Sequence, residues 1–134
     1  MEASQRPLEL ILARNLLSML STPAFLASAA NDIVFYNEAA GGLLDRRFEE
    51  SGPISAEDWL HEFGPLDDAD EPIPFERQEL AQALRANRAA HARHRIRSAT
   101  GAVHEVEVSG MPIIGAGGFS GAMVFFWPSG EPGP

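Results

Sequence analysis

The spacing of apolar residues along the chain changes period from segment to segment, and each change marks an element. Over residues 5 to 20, Leu8, Leu10, Ile11, Leu12, Leu16, Leu17, Met19 and Leu20 recur at helical spacing, with Pro7 in the first turn and Ser21-Thr22-Pro23 as the stop. These are too many for one stripe, so the helix is expected to bury one side on its own domain and another on a partner; a helix simply sunk against a sheet is the alternative. The spacing then becomes that of strands. Pro23 to Ala27 and Ile33 to Tyr36 form two short apolar runs around an Asn31-Asp32 turn. Asn37 and Glu38 open a small-residue helix, because an Asn side chain accepts from a free first-turn amide and a Glu there complements the helix dipole.

After a Gly- and charge-rich bend, ISAEDWLHEF predicts a short helix presenting Trp59, Leu60 and Phe63, with Ser55 and Asp58 spaced as in a capping box. DDADEPIP is a loop whose acidic run reads as a solvated turn. A hard-cation site would need ligands at alternating positions on a Gly-bent loop, and the nearest glycine, Gly64, precedes the cluster. FERQELAQALRAN, residues 75 to 87, predicts one helix with Leu80 and Leu84 on a common side, ending near Asn87.

The last third reads as an antiparallel meander. From Ala92 to Ser98, Arg93, Arg95 and Arg97 alternate with His94 and Ile96. A three-residue turn, Ala99-Thr100-Gly101, would set Ile96 opposite His104 and His94 opposite Val106, and would bring Glu105 and Glu107 against the arginine face. The strand from His104 to Ile114 carries Gly110 and Pro112, which suggest a bulge or an edge irregularity, and Gly115 to Gly118 reads as a flexible connection. GAMVFFWP is apolar on both faces, as a covered central strand should be. With Ala122, Val124 and Phe126 toward the helices, Met123, Phe125 and Trp127 face the other way and need a cover. The N-terminal helix can supply it, from the same chain or from a second subunit, and a two-fold arrangement would satisfy both sides of that helix.

Composition narrows the function classes. A chain of 134 residues with 45% hydrophobic content makes one domain with a modest core. The net charge is −9 and all ten basic residues are arginine, so nucleic acid and anionic membrane gain no favourable electrostatic term. With no cysteine, the chain has no disulfide, thiolate metal site, iron–sulfur cluster or cysteinyl adduct. The apolar N-terminal segment, broken by Glu9, Arg14 and Asn15, is too short and polar to span a bilayer, and a soluble, cytoplasmic protein is expected. Catalytic signals are missing: His104 and Glu105 point to opposite faces of a strand, and no phosphate loop or nucleophile motif occurs. His94 and His104, on adjacent strands, would need a third converging ligand to hold a metal, and histidine is the side chain type suited to a pH switch.

Three segments together resemble the PAS (Per-Arnt-Sim) sensor family: PAFLASAANDIVFYNEAAGGLL, the helix following DADEPIP, and HRIRSATGAVHEVEVSGMPIIGAGGFSGAMVFFWP. The resemblance covers residues 22 to 128, leaving 1 to 21 as a leading dimerisation helix and 129 to 134 as a disordered tail. Two departures stand out: Asp68-x-Asp70 is followed by Glu71 where the family often has Gly, and Trp127-Pro128 replaces the closing Asp-x-Thr signature that leads into an effector helix. The resemblance implies an α+β fold, a five-stranded antiparallel sheet of order 2-1-5-4-3 with helices on one face. It also implies a pocket lined by Phe25, Phe35, Leu44, Trp59, Leu80, Leu84, Ile96, Val106 and Phe126, with His94 and His104 at its mouth. Such a cavity could hold a fatty acid or other small hydrophobic ligand; a filled core with no cavity is the competing reading. Photoadduct flavin needs a cysteine, and haem in this family takes a histidine from the helix that FERQELAQALRAN would form, so both are disfavoured. The function implied is a sensory or regulatory module, not an enzyme, signalling through protein–protein contact, with a small-molecule receptor or carrier as the alternative. A homodimer would form through Leu8, Ile11, Leu12, Leu16, Met19, Met123, Phe125 and Trp127.

Overall fold

The computed structural model describes residues 8–133. The expected helix start at residue 5 and the place of Pro7 in it lie outside them. The first helix, α1 (Leu8–Leu17), buries Leu10, Ala13 and Leu17, one stripe at helical spacing. Strands β1 (Ala24–Ser28) and β2 (Ile33–Tyr36) follow, with Asn31 taking the left-handed conformation at φ 70° in the turn between them. Helix α2 (Glu38–Leu44) starts at the Asn37 cap, whose side chain accepts from the Ala40 amide.

The bend after α2 contains a helical turn that the sequence pattern did not predict, α3 (Phe48–Ser51), and α4 (Ala56–Glu62) begins where Ser55 Oγ accepts from the Asp58 amide at 3.1 Å. The single helix expected over residues 75 to 87 is two pieces, a 3-10 turn at Phe75–Arg77 and α5 (Glu79–Arg85). Gln78 breaks it. Its backbone is extended (φ −88°, ψ 104°), its side chain is buried, and its amide nitrogen donates to the Ile73 carbonyl at 2.7 Å. A local side chain-to-backbone bond thus competes with helix continuation. Asn87, at φ 63°, closes the segment in the left-handed conformation at the expected place.

Strands β3 (Ala90–Arg97), β4 (Val103–Gly115) and β5 (Gly118–Pro128) complete one five-stranded antiparallel sheet of order β2-β1-β5-β4-β3. His94 pairs with Val106 and Ile96 with His104, and Arg93 and Arg95 oppose Glu107 and Glu105, in the register expected of a three-residue turn. The Gly115 to Gly118 connection is a tight hairpin tip, since those two glycines are themselves paired; the strands run to the turn because β5 is long enough to carry β4 past the end of β3. Beyond Gly110, the last residue of β4 paired with β3, β4 has only β5 beside it, which accommodates Pro112 at an edge, and the register shifts at Ile113/Ile114. The open edge of β3 is partly occupied by the loop before the 3-10 turn, where the Leu66 amide donates to the Arg95 carbonyl at 2.8 Å.

The sheet is covered on both faces. On one, Leu44 of α2, Trp59 and Phe63 at α4, and Leu80 and Leu84 of α5 pack on Val106, Val108, Ala122, Val124 and Phe126. On the other, Leu10, Ala13 and Leu17 of α1 pack on Ala24, Leu26, Val34 and Phe35, with Met123, Phe125 and Ile113 partly buried beside them. The cover for the outward side of β5 therefore comes from the same chain, which takes Met123 and Phe125 out of the set of free interface residues. The approach is close: a Cβ on Gly115 would run into the Glu9 carboxylate, and one on Gly121 (φ 154°) would run into the Ala27 carbonyl oxygen and touch Leu10.

Candidate functional site

Between the sheet and helices α2, α4 and α5 lies a cavity of about 110 Å³. Nine of the expected residues line it: Phe25, Leu44, Trp59, Leu80, Leu84, His94, Ile96, Val106 and Phe126. Two do not. Phe35 lies on the opposite face against α1, with the Arg14 guanidinium 4.5 Å from its ring centre, because β1 and β2 change register between Leu26 and Ala27 and the alternation of side chains breaks there. His104 shares a strand face with Val106 but sits one pair nearer the hairpin turn, outside the lining.

Sequence reasoning missed Phe63, Phe75, Gln78 and Phe119 among the lining residues. Gln78 had a detectable signal, as a polar residue preceding the apolar Leu80–Leu84 stripe. Phe119 had none, because the glycines around it read as a flexible connection.

The lining is apolar apart from Asn31, Gln78 and His94, and His94 is its one titratable side chain. Burial alone pushes the His94 pKa below its ordinary 6.5, since removing an imidazolium from water penalises the charged form. No described side chain or backbone group hydrogen-bonds to its ring, so both nitrogens remain available on the cavity side of β3. Its chain neighbours face the other way: Arg93 Nε bonds Glu107 at 2.9 Å, and Arg95 bonds Asp70 at 2.5 Å. Among the described residues no group of three His, Asp or Glu converges as a metal site would require. In the acidic loop, Asp67 accepts from the Ala69 and Glu71 amides.

Aromatic rings run from the cavity to α1 around the β2 edge. Phe126 to Phe25 is 6.0 Å between centroids, Phe25 to Trp59 5.0 Å, Trp59 to Tyr36 6.0 Å, Tyr36 to Phe48 5.3 Å and Phe48 to Phe35 5.2 Å. Arg14 of α1 lies over both Phe35 and Phe48. Phe48, on the unpredicted helical turn α3, connects the two clusters. Away from the sheet, α1 exposes Leu8, Ile11 and Leu12, Leu16, and beyond its end Met19, the last 78% accessible. Trp127 packs its ring 5.9 Å from His91 and is approached by Gly133, while Ser129 donates its amide to the Glu105 carbonyl.

No family model matches the sequence, and no curated protein matches it. Solved structures do. A PAS domain from a two-component sensor histidine kinase is 16% identical with a TM-score of 0.62, over 91% of this chain and 97% of that one. The Rhodobacter sphaeroides LOV protein is 12% identical with a TM-score of 0.72, over 92% and 68%. The PAS domain, in complex with ethanol, of a LuxR-family transcriptional regulator from Burkholderia thailandensis is 12% identical with a TM-score of 0.61, over 87% and 96%. At such identities the likeness establishes the fold, and this chain has the PAS fold. No helix among the described residues is long and apolar enough to cross a membrane.

Proposed function

We propose that this PAS-fold chain is a sensory input module whose output is the association state of α1. The observation that carries the reading is the second apolar stripe of that helix, Leu8, Leu12 and Leu16 with Ile11 beside it, left exposed after the first stripe is buried on the sheet. A contiguous apolar face on a charged surface is a protein-binding face, and a second copy of the same stripe satisfies both by two-fold symmetry. The sensory role draws on the fold neighbours, which include domains of a sensor histidine kinase and of a transcriptional regulator. The ring series from Phe126 to Phe35 supplies a packed connection between cavity and helix, the kind of contiguous contact that can carry a change in packing.

The experiment is sedimentation velocity on the whole chain and on Leu12→Glu and Leu16→Glu. A dimer for the parent and monomers for both variants, with unchanged far-ultraviolet circular dichroism, is the expected result. A parent that stays monomeric at about 100 µM, far above the micromolar constants of ordinary specific association, overturns the reading.

A carrier of long-chain fatty acids receives less support. A cavity of about 110 Å³ is well under the roughly 300 Å³ at the lower end of ligand pockets. The same volume tells against flavin and haem; the absence of cysteine bears on photoadduct flavin alone, and the lack of a histidine on α5 bears on haem.

A further inference from the structure

We propose that the cavity takes a neutral molecule of about four or five non-hydrogen atoms, apolar except for one hydrogen-bonding group that meets the His94 ring. The proposal rests on the reading of this cavity as the sensory input and adds the chemistry of what enters.

Size sets the first limit. A protein cavity of about 150 Å³ holds benzene, with its six carbons, so the 110 Å³ here admits something smaller. The lining sets the second. Phe25, Trp59, Leu80, Leu84 and Val106 offer only dispersion and apolar burial, and those walls suit a hydrocarbon body. Gln78 spends one of the two donors of its side-chain nitrogen on the Ile73 carbonyl, which fixes the amide in place and leaves it neutral, with no charge to offer a ligand. His94 commits neither nitrogen to any described group.

Charge sets the third limit. No lining side chain other than His94 titrates, Val106 stands opposite it on β4, and the flanking Arg93 and Arg95 are paired with Glu107 and Asp70 on the far side of the sheet. Burial keeps the ring in its neutral form at pH 7, with one donor and one acceptor, so it can serve a hydroxyl in either sense. A carboxylate or an ammonium entering the same space would lose its hydration and find no fixed countercharge.

The test is methyl-resolved NMR of the whole chain at pH 7.5, titrated separately with 1-butanol, propionate and butylammonium, each of about five non-hydrogen atoms. The expected result is that 1-butanol alone moves the methyl resonances of Leu80, Leu84 and Val106 and the ring resonances of His94. His94→Leu should weaken 1-butanol binding roughly five- to tenfold, the loss of about one hydrogen bond. Preference for propionate or butylammonium overturns the neutral-ligand assignment. Silence from all three probes overturns the cavity as a binding site. If the His94 ring resonances in the unaltered chain stay put while the methyls move, the role of His94 is overturned, and this reading does not depend on the variant folding. Butanol binding is read whether the chain is monomeric or dimeric, so a failed α1 interface and a failed ligand assignment give different results.

Discussion

Asn37 joins the ends of three elements through one buried amide. Its Oδ1 accepts from the Ala24 amide at 3.1 Å and the Ala40 amide at 3.0 Å, and its Nδ2 donates to the carbonyls of Leu17 at 3.1 Å and Thr22 at 2.9 Å. The residue is 3% exposed, so removing the side chain strands polar groups that water reaches poorly. Asn37→Ala is expected to cost about 2–4 kcal/mol in urea unfolding, more than an ordinary helix cap, because donors and acceptors from α1, β1 and α2 lose partners together. A cost under about 1 kcal/mol would show that these bonds are readily replaced. His94 makes a residue-scale prediction about pH. Its folded pKa lies below the ordinary 6.5, so the unfolded chain takes up the proton at higher pH than the folded one. The His94 contribution is fully present above about pH 6.5 and is lost as pH falls from there toward the folded pKa. Urea midpoints of the parent and His94→Gln should converge between pH 7.5 and pH 5, and parallel curves would refute the burial argument.

At the scale of elements, the segments whose local chemistry and burial agree form as expected. The β1–β2 turn, the Ser55 cap, the β3–β4 register and the end at Asn87 each depend on residues within a few positions of one another. Where the structure departs, a contact outside the periodic pattern decides. Gln78 interrupts the helix over 75 to 87 because its side chain is buried and bonds Ile73, and Phe48 forms a helical turn because its ring fills the space between Phe35 and Tyr36. The β4–β5 hairpin gives a paired test. Gly121→Ala places a methyl against the Ala27 carbonyl in a left-handed backbone and is expected to cost 2 kcal/mol or more, roughly what strain or overpacking costs at one site. Gly117→Ala, with nothing within 4 Å, should change stability by no more than about 0.5 kcal/mol. Equal melting temperatures for the two variants would show that β1 and β5 are not packed this closely.

The whole molecule is a sheet covered on both faces, with an unsatisfied apolar stripe on the outer helix and a net charge of −9. On the proposed reading two such molecules attract through α1 and repel through their charge, and the repulsion acts over a Debye length of about 10 Å at 0.1 M salt. Association through α1 should therefore tighten as salt rises from about 0.05 to 0.5 M, because screening weakens the repulsion while apolar burial persists. Sedimentation equilibrium across that range checks it. Association that weakens with salt would point to an interface built on ion pairs instead of the α1 stripe.

The sequence by itself determined the order of the five strands and the places of α1, α2 and α4, the β3–β4 register and, through its family resemblance, the sheet topology and nine residues that line the cavity. The element order and the register follow from period, cap and turn chemistry, which act over short stretches of chain, whereas the topology and the lining are what the resemblance implies. Only the tertiary structure decided that α1 covers its own sheet, that Phe35 leaves the cavity side, and that Gln78 and Phe119 enter the lining. Each of these depends on residues far apart in sequence. The cavity volume is of the same kind: it is the difference between the space the elements enclose and the side chains that fill it, and no local pattern encodes that difference.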